Sequence, residues 1–252
     1  MTESIRGYSY VNPDEEQLGN FQVVPSDPRG EAYNHLPTTY QEVMNEAWTE
    51  QFGAKFTADQ IAQTVDPANP SLVARQELRL QSGNQPGGPT YVHAQVGMAE
   101  ALPVKPYQFY YVTGIGKGTY ADSRPGWQRK LSAYVPEENR LADVSNVFVR
   151  PAFLNPTSGI LFQSNGYGSA ILRSLLDSFP GDMPTVAYDY EINTRLQPVL
   201  QALGFMAIEE RPVDLFGTKV QQTQYRGPLS GELAEALEAK RPWLRDRQPI
   251  EA

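Results

Sequence analysis

The chain has 252 residues, 40% hydrophobic and 20% charged, with a formal net charge of -8. This length and composition support a packed core in one large domain with extensions, and the negative balance disfavours nucleic acid as a partner. There is no cysteine, and the only histidines are His35 and His93. Disulfides, thiolate metal sites and a cysteine nucleophile are therefore excluded, and no metal site is expected.

The first residues, MTESIRGYSYVNPDEEQ, hold no apolar stretch of signal-peptide length, and no window approaches a membrane span. The expectation is a cytoplasmic protein without membrane contact. Residues 1–36 read as an N-terminal extension with one strand, Phe21 to Val24. "PTTYQEVMNEAWTEQFG" places Tyr40, Val43, Met44, Ala47, Trp48 and Phe52 on one helical face. Thr57 and Gln60 form a capping-box pattern that opens a second short helix.

"SLVARQELRL" reads as a strand, "QSGNQPGGP" as a turn and "TYVHAQVGMAEAL" as the returning strand. "PYQFYYV" alternates aromatics and reads as another strand. Thr113 to Arg140 mixes glycine, proline and charge, and reads as an irregular insertion. "ADVSNVFVRPAF" is a strand ended by Pro151.

"QSNGYGSAILRSLLDSF" follows. Gly166 and Gly168 sit one residue apart, and Ile171, Leu172, Leu175, Leu176 and Phe179 recur at helical spacing. A glycine turn at a helix start offers backbone amides and a partial positive charge to an anion. An isolated pair of this kind is more often a plain turn into a core helix. The third glycine of a dinucleotide fingerprint is missing, since Ile171 stands there, and the Gly-Lys-Ser/Thr of a P-loop is absent. "TGIGKGTY" lacks the spacing of a kinase glycine loop.

"PTVAYDYEI" is a strand. "NTRLQPVLQALGF" is a short helix with Asn193 as N-cap and Gly204 as C′ residue, and Pro198 makes it begin late or kink. "FGTKVQQTQYRGP" is a last strand and "SGELAEALEAKRPWL" a terminal helix. The order suits an α+β fold, one mixed and mostly antiparallel sheet flanked by helices.

Taken together, "VFVRPAF…QSNGYGSAILRSLL…VAYDYEIN…LQALGF" resembles the GNAT superfamily of acyl-CoA-dependent N-acetyltransferases. The resemblance covers roughly residues 72 to 225. Val149-Arg150-Pro151 matches the family's strand end, Gln163, Gly166 and Gly168 its glycine motif, and Asn193 with Leu203-Gly204-Phe205 the downstream part. It implies a GNAT-like domain over residues 37–228, with insertions near 113–140 and 152–162, and a C-terminal helical tail over 229–252.

The resemblance also implies acetyl-CoA as acyl donor, held in a cleft where the family's fourth and fifth strands splay apart. Main-chain groups near Phe148 and Val149 would hold the pantetheine and polarise the thioester. The backbone amides of Ser164, Asn165, Gly166, Tyr167, Gly168 and Ser169 would hold the pyrophosphate, with Gln163 beside them as a cofactor-binding residue, and Asn193 would orient the pantetheine end or the thiol. A small-molecule or peptide amine would then attack directly, and a homodimer is compatible with the family.

An ammonium must first lose a proton, so a carboxylate base is expected. Asp143 and Glu100 lead the candidates, with Asp189 and Glu191 behind them. Many family members carry a tyrosine acid where this chain has Leu200, and Tyr190, with Tyr188, is the candidate replacement. For Asp143 the plainer alternative is a solvated strand-end carboxylate, and for the tyrosines a half-buried strand face. Leu200 and the insertion also motivate a second reading, a non-catalytic acyl-CoA-binding or interaction module. A nucleotide-dependent oxidoreductase is the third.

Overall fold

The structure is a computed structural model that describes residues 7–10, 21–25, 90–101, 106–124, 136–149, 166–191, 196–215 and 218–250. The two helices read between residues 37 and 65, and the strand read at 71–80, lie outside them. Nine strands are described: β1 (Tyr8–Tyr10), β2 (Phe21–Pro25), β3 (Thr90–Ala101), β4 (Pro106–Asp122), β5 (Arg140–Val149), β6 (Pro184–Tyr190), β7 (Met206–Leu215), β8 (Thr218–Leu229) and β9 (Gln248–Pro249). Three α-helices accompany them: α1 (Tyr167–Leu176), α2 (Leu196–Ala202) and α3 (Ser230–Lys240).

The strands form one sheet in the order β7-β8-β6-β5-β4-β3-β2-β1-β9. Every neighbouring pair with a described register is antiparallel except β5 and β6, which run parallel. This is the α+β architecture expected from the sequence.

Residues 1–36 hold two described strands, β1 and β2, where the sequence shows one, and the C-terminal helical tail also contains the short β9. Two further strand expectations need correction. The stretch from Thr113 is no irregular insertion as far as Asp122, because β4 runs unbroken from Pro106 to Asp122. Its glycines mislead in the sequence because they read as turns. Gly114, Gly116 and Gly118 instead alternate along one face, beneath α1. A Cβ on Gly114 would lie 2.6 Å from the Phe148 carbonyl oxygen and 2.9 Å from Ile171 of α1. One on Gly118 would lie 2.9 Å from the Phe179 ring. The glycines therefore let α1 and Phe179 come down onto the sheet. Tyr120 continues that row and meets Phe179 edge-on, with ring centroids 5.4 Å apart.

The second correction is β7, which the reading in chain order passed over. It is the outermost strand of the sheet. Met206, Ala207, Ile208, Glu209 and Glu210 are all exposed, so no in–out alternation marks it. Its Pro212 is tolerated because the strand lies at an edge.

α1 presses Ala170, Ile171, Leu175 and Leu176 against β3, β4 and β5, all four nearly or fully buried. Fully burying side chains of the Leu or Ile kind stabilises by about 1.5–3 kcal/mol each. α3 packs against α1 and β8. The Gly231 amide at its start donates to the Gly181 carbonyl beyond the end of α1, at 2.8 Å. Arg241, just past its end, lies beside Gly166 at the start of α1. The two helices therefore run antiparallel.

α2 begins late, as Pro198 requires, with that proline in its first turn. It ends in a Schellman motif: the Phe205 amide donates to the Leu200 carbonyl at 2.9 Å, and the Gly204 amide to the Gln201 carbonyl at 3.0 Å. Gly204 takes φ 86°, as a C′ glycine does. Leu200 and Phe205 are both buried, as the motif's apolar pair.

The first and last described strands meet. β1 pairs with both β2 and β9, and the Ile250 amide donates to the Gly7 carbonyl at 2.9 Å.

Candidate functional site

β5 and β6 hold two register pairs only, Ala142 with Thr185 and Asp143 with Val186. Beyond them β5 continues to Val149 and β6 to Tyr190 with no further pairing between the two. The ladder thus closes at one end and leaves the C-terminal halves of two parallel strands unjoined. Two strands that part in this way leave between them an edge that suits a ligand carrying its own amides.

A bulge sets which side chains look the same way. Lys117 pairs with Asn146 and Thr119 with Asp143, so β5 spends one residue more than β4 there. Ile115 pairs with Phe148. Cross-strand partners share a face, so the bulge brings Phe148 onto the face of Asp143, five residues away. Without it the two would point to opposite sides. Phe148 is 8% exposed and Asp143 9%, so Asp143 is not the solvated strand-end carboxylate of the plainer reading. Val149 turns to the α1 face, where a Cβ on Gly168 would meet its Cγ2 at 3.4 Å.

α1 begins as the sequence suggests. Gly166 is its N-cap at φ 90°, a conformation that favours glycine. The first hydrogen bond of the helix runs from the Ala170 amide to the Gly166 carbonyl, at 3.0 Å. The amides of Tyr167, Gly168 and Ser169 therefore stand ahead of the intrahelical ladder, at the positive end of the helix. The Tyr167 side chain is buried in the core, so it presents no side-chain group to a ligand. Ser169 is half-buried. Gln163, Ser164, Asn165 and Asn193 lie outside the described residues.

The candidate proton carriers do not all come together. Glu100 pairs with Tyr107, whereas Asp143 pairs with Thr119. Twelve positions of β4 separate those levels, about 40 Å at ~3.3 Å per residue. The structure thus separates Glu100 from Asp143. Tyr190 shares the Asp143 face through the register with Val186, but four residues further on, about 13 Å along the strand. Tyr190 is half-buried and pairs with Gln222. Asp189 is buried on the opposite face, and its Oδ1 accepts the Tyr190 amide at 2.8 Å. Its charge and that of Glu210 help burial to push the Tyr225 hydroxyl pKa up. Glu191 is exposed.

Two residues at the glycine turn were not singled out from the sequence. A Cβ on Gly166 would lie 2.6 Å from Trp243 Cζ2 and 3.1 Å from Arg241 Nη1. The sequence separates them from the turn by some seventy-five positions, and no local pattern could have joined them. Arg241 makes no ion pair among the described residues. Its guanidinium adds positive charge where the helix already presents it.

Among the described residues no group of His, Asp and Glu could hold a metal ion, and no helix is long and apolar enough to cross a membrane.

No protein-family model matches the sequence, and comparison with curated proteins gives no match. Solved structures do match in backbone course. The chain is similar to NAA60 of Arabidopsis thaliana, solved with a bisubstrate analogue, at 9% identity and TM-score 0.43, over 82% of this chain and 96% of that one. It is similar to a GCN5-related N-acetyltransferase from Rhodopseudomonas palustris at 14% identity and TM-score 0.40, over 82% and 94%. It is similar to yncA of Salmonella typhimurium, solved with its cofactor acetyl-CoA, at 18% identity and TM-score 0.38, over 83% and 94%. At such identities and scores, likeness of backbone course says nothing of the chemistry of individual residues.

Proposed function

We propose that this chain is an N-acetyltransferase of the GNAT type, moving an acetyl group from acetyl-CoA to a small-molecule or peptide amine. The observation that carries this reading is the parallel β5–β6 ladder that stops at Asp143 and Val186, with the glycine turn of α1 against the end of β5. The gap suits the amide-bearing pantetheine arm, and the amides of Tyr167, Gly168 and Ser169 suit its diphosphate. Gln163, Ser164, Asn165 and Asn193 complete the set by the sequence resemblance.

Main-chain groups at Phe148 and Val149 flank the thioester in this reading. The neutral amine attacks the carbonyl carbon; a C–N bond forms and the C–S bond breaks. Asp143, on the face of Phe148 but about 13 Å along the sheet from it at ~3.3 Å per residue, takes the amine proton through a chain of waters, and a proton returns to the departing thiolate. Tyr190 is the candidate donor of that proton, and Glu100 has no part because of its distance along β4.

Titration calorimetry with acetyl-CoA tests the reading, with saturable binding expected. No heat at millimolar ligand contradicts it. One observation favours a second reading. Leu200, where a tyrosine acid is expected, is committed to the Schellman contact with Phe205. A non-catalytic acyl-CoA-binding module would bind acetyl-CoA yet release no CoA across a broad amine panel.

A further inference from the structure

A glycine at φ 90° has little of its own to keep it there, because it adopts many other conformations at no steric cost. The dihedrals of Gly166 nevertheless aim the Tyr167, Gly168 and Ser169 amides that follow. Something outside the turn must hold it, and the structure contains that brace. Trp243 is 6% exposed, and its indole Cζ2 and Cη2 lie 2.6 and 3.2 Å from the place a Gly166 Cβ would take. The same indole meets the Tyr10 ring edge-on, with centroids 5.9 Å apart. Tyr10 in turn shares a hydrogen bond with Ser174 of α1.

Trp243 is itself fixed on both sides. It lies in a 3-10 turn, Pro242–Leu244, directly after α3, beside the fully buried Leu244. Beyond it Arg245 pairs with Glu238 at 3.4 Å, and Arg247 pairs with Asp177 at 2.7 Å. The Arg247 guanidinium covers the Tyr8 ring at 4.4 Å, and β9 joins β1. α1, β1 and the segment leading to β9 thus clamp the indole against the glycine turn.

We propose that Trp243 is a positioning residue for the phosphate-binding turn: its benzo ring holds Gly166 in the conformation that aims the three amides. This rests on the reading of the turn as the donor's diphosphate site. Pre-set amides bind an anion without first being ordered, so loss of the brace weakens binding of the phosphate-bearing part of the donor alone.

Trp243→Phe deletes the two ring atoms nearest Gly166 and keeps an aromatic ring for Tyr10. Trp243→Leu is the second variant, and Leu244→Val is a control that loosens the same segment without touching the turn. Two quantities are read in each: amide hydrogen exchange at residues 170–172, the first amides bonded within the helix, without ligand, and Kd for CoA against Kd for acetyl-pantetheine. The expected result is faster exchange and a CoA Kd raised roughly tenfold in the Trp243 variants. The Kd for acetyl-pantetheine and both quantities in Leu244→Val stay near wild type. Unchanged exchange and unchanged or tighter CoA binding overturn the role. So does an equal loss for acetyl-pantetheine or in Leu244→Val. A wild-type chain that binds no CoA overturns the donor reading and this role with it; wild-type binding that the Trp243 variants retain overturns this role alone.

Discussion

The Tyr10 hydroxyl and the Ser174 Oγ share a hydrogen bond of 2.8 Å across 164 residues of sequence. It ties β1 to the middle of α1, and both groups are buried. Removing one partner by Tyr10→Phe costs about 0.5–1.5 kcal/mol at neutral pH. The bond also has a pH signature. Burial, the first cause, raises the Tyr10 pKa above that of a free phenol, about 10. The folded state then holds this proton more tightly than the unfolded chain, so the contribution is complete below pH ~10 and is lost as pH rises through the folded value. Urea unfolding from pH 7 to 11 should show wild type more stable than Tyr10→Phe at pH 7, with the difference shrinking above pH 10. A difference constant to pH 11 would refute the buried phenol.

Gly227→Ala should destabilise by about 1–3 kcal/mol or more, because it over-packs a site with nowhere to move. The new Cβ would lie 2.3 Å from Thr185 Oγ1 and 2.4 Å from the Phe205 ring. Thr185 Oγ1 is held by its donation to the Pro228 carbonyl at 2.7 Å, and Phe205 by the cap of α2. Denaturant midpoints measure the loss, and a neutral Gly227→Ala would contradict the packing of β6 on β8.

The two glycines of the turn should behave oppositely. Gly166→Ala meets both the left-handed backbone, about 1–2 kcal/mol, and the Trp243 ring at 2.6 Å. Gly168→Ala meets only Val149 Cγ2, at ordinary contact distance, inside a helix where alanine is favoured over glycine by about 0.5–1 kcal/mol. Thermal unfolding of the pair should therefore show a loss for Gly166→Ala and little change or a gain for Gly168→Ala. The reverse order would show that Gly166 is not the positive-φ cap.

Asp143→Asn tests the assignment of the base. With a responsive amine, kcat should fall by about 10²–10⁴, while the acetyl-CoA Kd stays near wild type. Glu100→Gln should leave both unchanged. Activity retained in Asp143→Asn moves the base elsewhere, with Asp189 the next buried carboxylate on β6 to replace.

What could be read along the chain was the local chemistry. α1 announced itself through apolar spacing and a glycine start, and the end of α2 through Gly204, because both depend on residues within a few positions of each other. The "LQALGF" pattern proves to be a helix cap, and the burial of Leu200 follows from its place in that cap. β4 looks irregular in the sequence because its glycines make close approaches to a helix that begins some fifty residues later. β7 carries no sequence signal because an exposed edge strand has no face to bury. Distances across the sheet were equally hidden. Glu100 and Asp143 both lie on strands, and only the register puts twelve positions of β4 between them. Phe148 joins Asp143 on one face through a bulge that neither residue announces. Trp243 reaches Gly166 only because α3 runs back along α1.

The structure of the protein with acetyl-CoA bound tests the central claim most directly. The account predicts the diphosphate at hydrogen-bond distance, about 2.7–3.2 Å, from the amides of Tyr167, Gly168 and Ser169. It also predicts the acetyl group in the gap between β5 and β6 beyond Asp143 and Val186. Acetyl-CoA bound elsewhere, or β5 and β6 paired through to Val149 and Tyr190 with no room between them, would contradict it.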